Sequence, residues 1–81
     1  MYLAIKNVKP LKNYFLLLTF ENNEKRIFDM SPLLDKGIFR QLQDVDLFNT
    51  VKVSFDTISW DNEADLCPEV LYEQSQPYMN S

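Results

Sequence analysis

The sequence predicts an α+β domain: a small, largely antiparallel sheet built from hairpins, with a packed helical segment and a short C-terminal helix. Three patterns carry that expectation. Two apolar runs, residues 14–20 and 25–30, bracket the polar stretch Glu21 to Glu24. Leu34, Ile38 and Leu42 recur at i, i+4 and i+8, the spacing of one helix face. Val51, Val53 and Phe55 alternate with Lys52 and Ser54, and Ile58 and Trp60 continue the alternation through Ser59.

Residues 2–9 read as a first strand that Pro10 ends or interrupts, because proline cannot donate to a ladder. The run Tyr14 to Phe20 alternates only weakly, so both of its faces are expected to be largely covered. Asn22 and Asn23 then turn the chain into the returning strand, Lys25 to Met30, whose register the pattern leaves open. Ser31 and Pro32 signal a helix start, a hydroxyl cap followed by proline at the first helical position. Gly37 lies mid-segment and costs about 1 kcal/mol of helix propensity, which predicts two short pieces or a kink. Asp44 to Asp46 should end the element, with Leu47 and Phe48 anchoring the connection.

Val51, Val53 and Phe55 are expected to point inward, with a tight turn at Asp56 and Thr57. Asp61 to Glu63 turn the chain again. Pro68 to Tyr72 form the last helical turn or short helix. Residues 1–73 thus make one domain, and residues 74–81 lack periodicity and read as a flexible tail.

The 81 residues include no histidine, one cysteine and one glycine. Without histidine there is no imidazole ligand or general base. Cys67 alone closes no intrachain disulfide, and a single glycine excludes a glycine-rich phosphate loop. Met1 to Lys6 lack the basic and apolar regions of a signal peptide, and the longest apolar run falls far short of the roughly 20 residues of a membrane span. A cytoplasmic protein without cofactor or metal is therefore expected. Charge is divided along the chain: residues 1–40 carry +3 and residues 41–81 carry −7. That polarity can orient a partner or a second copy.

The densest polar cluster is Asp61, Glu63, Asp65, Glu69 and Glu73. Its first three acids have the spacing of a calcium loop, but Leu66 stands at the glycine position and Tyr72 at the closing acid. The motif fails, leaving a solvated acidic rim, a weak cation site or a surface that recognises a basic partner. Trp60 beside it is either core packing or a rim aromatic that anchors a contact. Cys67 is expected to be buried or half-buried. Tyr14, Phe15, Phe20 and Phe28 read as core or edge packing. With Lys9, Lys12, Lys25 and Arg26 they also offer an alternative basic surface for single-stranded nucleic acid.

Taken in order, these segments resemble the small bacterial family known as domain of unknown function 2442. The likeness runs from about residue 8 to residue 73. It passes through Leu17, Thr19 and Phe20, Arg26 to Met30, Gly37 to Phe39, Leu42, Asp44, Leu47 and Phe48. Its most specific block is Ile58 to Asn62, Ala64 to Leu66, Pro68, Glu69, Leu71 and Tyr72. The resemblance implies a compact α+β domain of uncharacterised function. Some members precede a helix-turn-helix domain. Stand-alone members are often encoded beside another small protein, in a manner similar to toxin–antitoxin pairs. No catalytic residues come with it; Trp60, Asp65, Pro68, Glu69 and Tyr72 match as structural positions, and Asp65 or Glu69 would cap the final helix. The chain departs where relatives commonly have Trp-Pro-Asn-Gly: it has Trp60, Asp61, Asn62 and Glu63. Asn23 and Glu24 likewise stand where glycine is common, and asparagine tolerates positive φ.

The functional expectation is a non-enzymatic protein-binding or regulatory accessory domain, antitoxin-like, using Trp60, Asp61, Glu63, Asp65 and Glu69 toward a basic protein or a genomic neighbour. The alternative is a small nucleic-acid or small-ligand module on the Lys9, Lys12, Lys25 and Arg26 side. A homodimer is a further possibility, because an open sheet edge can pair with its copy.

Overall fold

The computed structural model describes residues 3–78. Among these residues seven strands form two antiparallel sheets rather than the single one expected. They are β1 (Ile5–Pro10), β2 (Phe15–Phe20), β3 (Lys25–Asp29), β4 (Lys52–Ser54), β5 (Thr57–Ser59), β6 (Asp65–Leu66) and β7 (Gln76–Pro77). The first sheet has the order β1-β2-β3-β7, and the second β4-β5-β6. The sheets meet where β1 lies against β4 and the Ile5 amide donates to the Asp56 carbonyl at 2.9 Å. The α+β class holds, with hairpins, a helical segment and a short C-terminal helix.

In β2 the apolar run resolves into true alternation. Leu16, Leu18 and Phe20 are fully buried, while Phe15, Leu17 and Thr19 are half-buried on the opposite face. β1 bulges between Ile5 and Asn7, and Pro10 closes it opposite Leu16, a strand end where a missing donor is tolerated. The β1–β2 connection then passes Asn13 and Tyr14 through the left-handed region, at φ 60 and 65°.

The helical segment breaks as Gly37 predicts. Two 3₁₀ stretches, Ser31–Leu33 and Gly37–Gln43, precede helix α1 (Val45–Phe48). Gly37 has φ +49°, a conformation costly for any residue with a Cβ. Because the stretch winds at three residues per turn rather than 3.6, the expected face fails at Ile38. That side chain is 45% exposed, while Leu34 and Leu42 are buried. Ser31 is not the cap. It lies inside the first turn, and the Asp29 carboxylate accepts its amide at 2.9 Å. Asp44 likewise opens an element instead of ending one, accepting the Asp46 amide at 3.0 Å at the start of α1.

The second sheet corrects two orientations. Ser54 pairs with Thr57, so the tight turn is Phe55–Asp56, one residue earlier than expected. Phe55 consequently sits in the turn, 99% exposed at φ 56°, and does not point inward. Val53 shares the inner face with Ile58 but lies on an edge strand, where it stays 37% exposed.

Helix α2 (Pro68–Gln74) begins with Pro68 as expected. Cys67 holds its cap position with no side-chain bond, so neither Asp65, which is in β6, nor Glu69, which is in the first turn, caps it. Cys67 is exposed, contrary to expectation, because the cap residue projects before the helix packs. Nor does a flexible tail begin at residue 74. Ser75 is buried and Gln76–Pro77 pair with Ile27 and Arg26, which adds a strand to the first sheet. Residues 79–81 of the expected tail and Tyr2 of the expected first strand, like Met1, lie outside the described residues. The core joins both sheets and the helical segment through Phe20, Phe28, Phe48, Trp60, Leu42 and Leu71.

Candidate functional site

The acidic turn is built on the second sheet. The Trp60 amide donates to the Ala64 carbonyl at 3.0 Å, and the Glu63 amide donates to the Trp60 carbonyl at 2.9 Å. Glu63 takes φ 71°. Asn62 Oδ1 accepts the Ala64 amide at 3.1 Å, and Asn62 Nδ2 donates to Gln41 Oε1 at 3.0 Å, fastening the turn to the helical segment. Asp61, Glu63, Asp65, Glu69 and Glu73 are all exposed. Asp61 lies 3.4 Å from Lys52, an exposed pair of small energetic weight. None of the other four carries an ion pair among the described residues. Among those residues no group of three or more His, Cys, Asp or Glu is placed to hold a metal ion.

Trp60 belongs to the core and not to the rim. It is 2% exposed, its Nε1 donates to the Phe48 carbonyl at 3.0 Å, and Phe39 meets it edge-on at 6.4 Å. An indole buried with its donor satisfied presents nothing to a partner.

The basic candidates separate by strand parity. Lys9 and Lys25 are exposed on the outer face of the first sheet, and Lys12 is exposed in the β1–β2 connection. Arg26 points the other way, its side chain only 13% exposed. It pairs with Glu24 Oε2 at 2.7 Å and donates through Nε to Ser75 Oγ at 2.6 Å and through Nη2 to the Ser75 carbonyl at 2.7 Å. Its guanidinium stacks 4.4 Å over the Tyr72 ring, and Tyr72 donates its hydroxyl to Glu24 Oε1 at 2.8 Å. The Tyr72 hydrogen bond, then Arg26, hold the Glu24 carboxyl below its ordinary value. The same hydrogen bond raises the Tyr72 phenol. This latch binds α2 and β7 to the first hairpin, so Arg26 is committed to the fold.

Two surface features had no direct signal in the sequence. Phe55 stands at a hairpin tip, and an off-by-one turn placement hid it. A shallow depression of about 300 Å³ lies between the β1–β2 connection and α1, lined by Leu11, Lys12, Tyr14, Val45 and Phe48. Tyr14 is held there by its hydroxyl, which donates to the Gln43 carbonyl, and by edge contact with Phe48 at 5.2 Å.

Fold and surface together define a small hairpin-built α+β domain. A family model described as Protein of unknown function (DUF2442) matches residues 5–77, and the chain belongs to that family. No curated protein and no solved structure matches it. No helix among the described residues is long and apolar enough to cross a membrane.

Proposed function

We propose that the domain is a non-enzymatic protein-binding accessory, antitoxin-like in that it acts by occupying a second, basic protein. One observation carries the reading. Phe55 holds a left-handed backbone conformation that costs a residue with a Cβ about 1–2 kcal/mol, and it leaves its ring 99% exposed. Glycine or asparagine would serve the turn at less cost. A strained, fully exposed aromatic is a contact anchor waiting for an apolar pocket. It stands in the chain half that carries −7, so the surface around the partner's pocket should be basic. Asp61, Glu63, Asp65 and Glu69 on and beside the second sheet supply the long-range attraction. The unpaired, exposed Cys67 suits a reducing, cytoplasmic setting.

The test is tagged recovery from the native host, followed by titration with the basic protein recovered. Phe55→Ser should weaken that complex at least tenfold, about 1.4 kcal/mol, without disturbing the fold. Neutralising Asp61, Glu63 and Asp65 should slow association and flatten its salt dependence. Recovery of the isolated chain alone, with the neighbouring gene product present, overturns the reading. So does a Phe55→Ser complex as tight as the wild type.

A second reading, a small nucleic-acid module, has one observation in its favour: Lys9 and Lys25 share a sheet face with Phe15. It predicts oligonucleotide binding that weakens with salt and with loss of Lys25. Flat titrations at low salt would dispose of it.

A further inference from the structure

The first sheet has two faces, and only one meets the core. Residues directly opposite one another across a ladder share a face. Val8, Leu18 and Arg26 therefore point with Pro10, Leu16 and Phe28 toward the interior. The other face carries the row Lys9, Leu17, Ile27 and Gln76. It is flanked by Phe15 and Asp29 on one side and by Asn7, Thr19 and Lys25 on the other. Phe15, Leu17 and Ile27 are contiguous and half-buried, yet they belong neither to the core nor to the partly buried apolar residues packed against it. The helical segment and α2 put Leu34, Leu42, Phe48 and Leu71 on the opposite side. The molecule measures 30 × 29 × 18 Å. At about 10 Å per packed layer, its short axis holds the sheet and one covering layer, with no room for a second.

We propose that this face takes a second copy of the chain, the two sheets stacking about a twofold axis that runs perpendicular to the strands. The choice of occupant rests on charge. Along the outer face of β3, Lys25 lies at one end, Asp29 at the other and Ile27 midway. Rotation about an axis over the Ile27 row sets Lys25 of each copy against Asp29 of the other. The same rotation stacks Leu17 and Ile27 on their own copies. Asp29 gives one oxygen to the Ser31 amide, and its side chain remains exposed. Lys9 lies on the outer strand β1, where its stem can cover the stacked row and its ammonium stay in water. The proposal uses a surface separate from Phe55 and stands independently of the partner reading above.

From a strand spacing of about 4.8 Å and a rise of about 3.3 Å per residue, the four strands, of 6, 6, 5 and 2 residues, present a face of roughly 300 Å². Stable interfaces use about 800 Å² per partner, so the dimer is weak and reversible.

Sedimentation of the full chain from about 10 µM to about 1 mM, a range that spans weak association, is the experiment. The average mass should climb from 9.6 kDa toward twice that value. Leu17→Thr with Ile27→Thr should hold it at the monomer throughout, with unchanged Trp60 fluorescence. Lys25→Glu should weaken association at least fivefold, and adding Asp29→Lys should restore it. In parallel, diluting the wild type should shift the amide resonances of Phe15, Leu17 and Ile27, a readout that needs no variant. A constant monomer mass at the highest concentration overturns the proposal. So does a dimer indifferent to both threonine substitutions, or dilution shifts that fall elsewhere.

Discussion

The two three-residue turns, 21–23 and 61–63, solve the same backbone problem with different residues. In each, a buried aromatic precedes the turn, Phe20 or Trp60. Its amide donates to the carbonyl four residues on, at 2.9 Å to Glu24 and 3.0 Å to Ala64. The middle asparagine accepts that distal residue's amide, at 3.0 Å for Asn22 and 3.1 Å for Asn62. The third residue takes φ 68 or 71°. It is Asn23 in one turn, a residue that tolerates the left-handed region, and Glu63 in the other, a residue that does not. The residues that close the two turns differ too. Glu24 enters the latch with Arg26 and Tyr72, whereas Ala64 is simply buried. One geometry thus serves a fastening hairpin in the first case and a charged one in the second.

Removing the aromatic tests the parity most severely. Trp60→Ala and Phe20→Ala should each cost about 3–5 kcal/mol in chemical denaturation, a large part of what a domain this size has. Trp60 should lie at the upper end, because the Phe48 carbonyl also loses its indole donor. The next contrast is at the asparagines. Asn62→Ala should cost about 1–2 kcal/mol, since it releases both Ala64 and Gln41. Asn22→Ala, in an exposed turn, should cost about half as much.

At the third position the sign reverses. Glu63→Gly should stabilise the domain by about 1 kcal/mol, and Asn23→Gly by only a few tenths. Equal gains would mean the two turns are equally strained, which would break the contrast.

The smallest difference is in pH response. Glu24 titrates below its ordinary value of 4.5 in the fold, because Tyr72 and Arg26 favour its charged form. Its contribution is therefore complete above that value and is lost as the pH falls through it toward the lowered folded value. Tyr72 is raised above 10.0, so its contribution is complete below pH 10.0 and disappears as the pH rises through the raised value. Glu24→Gln should flatten the acid limb of stability against pH.

Much of this was legible in the residues, but unevenly. Asparagine between apolar runs marked the first turn, and Gly37 marked the break in the helical segment. The Trp60 turn was visible as well, although its left-handed residue proved to be Glu63. Phe55 was misread because strict alternation through residue 55 ignores where the ladder ends, and a one-residue shift moves a side chain from interior to tip. Ser75 and β7 were missed for a different reason. Gln74 to Pro77 have no apolar pattern, and their order comes from Arg26, 49 residues away in sequence. The Phe15, Leu17 and Ile27 face was hidden in an apolar run whose two parities look alike until one of them is seen to be buried.

Cys67 and Trp60 are each the sole residue of their type in the chain. One is exposed ahead of α2, and the other is buried at the start of the acidic turn. The wild-type protein therefore carries a built-in optical ruler. A thiol-reactive acceptor on Cys67 would quench the indole by energy transfer, and its signal would follow the opening of the β5–β6 hairpin, because Trp60 directly follows one of its strands and Cys67 the other. Because the latch residues lie outside that pair, loosening of the second hairpin could be timed separately from release of the C-terminal strand.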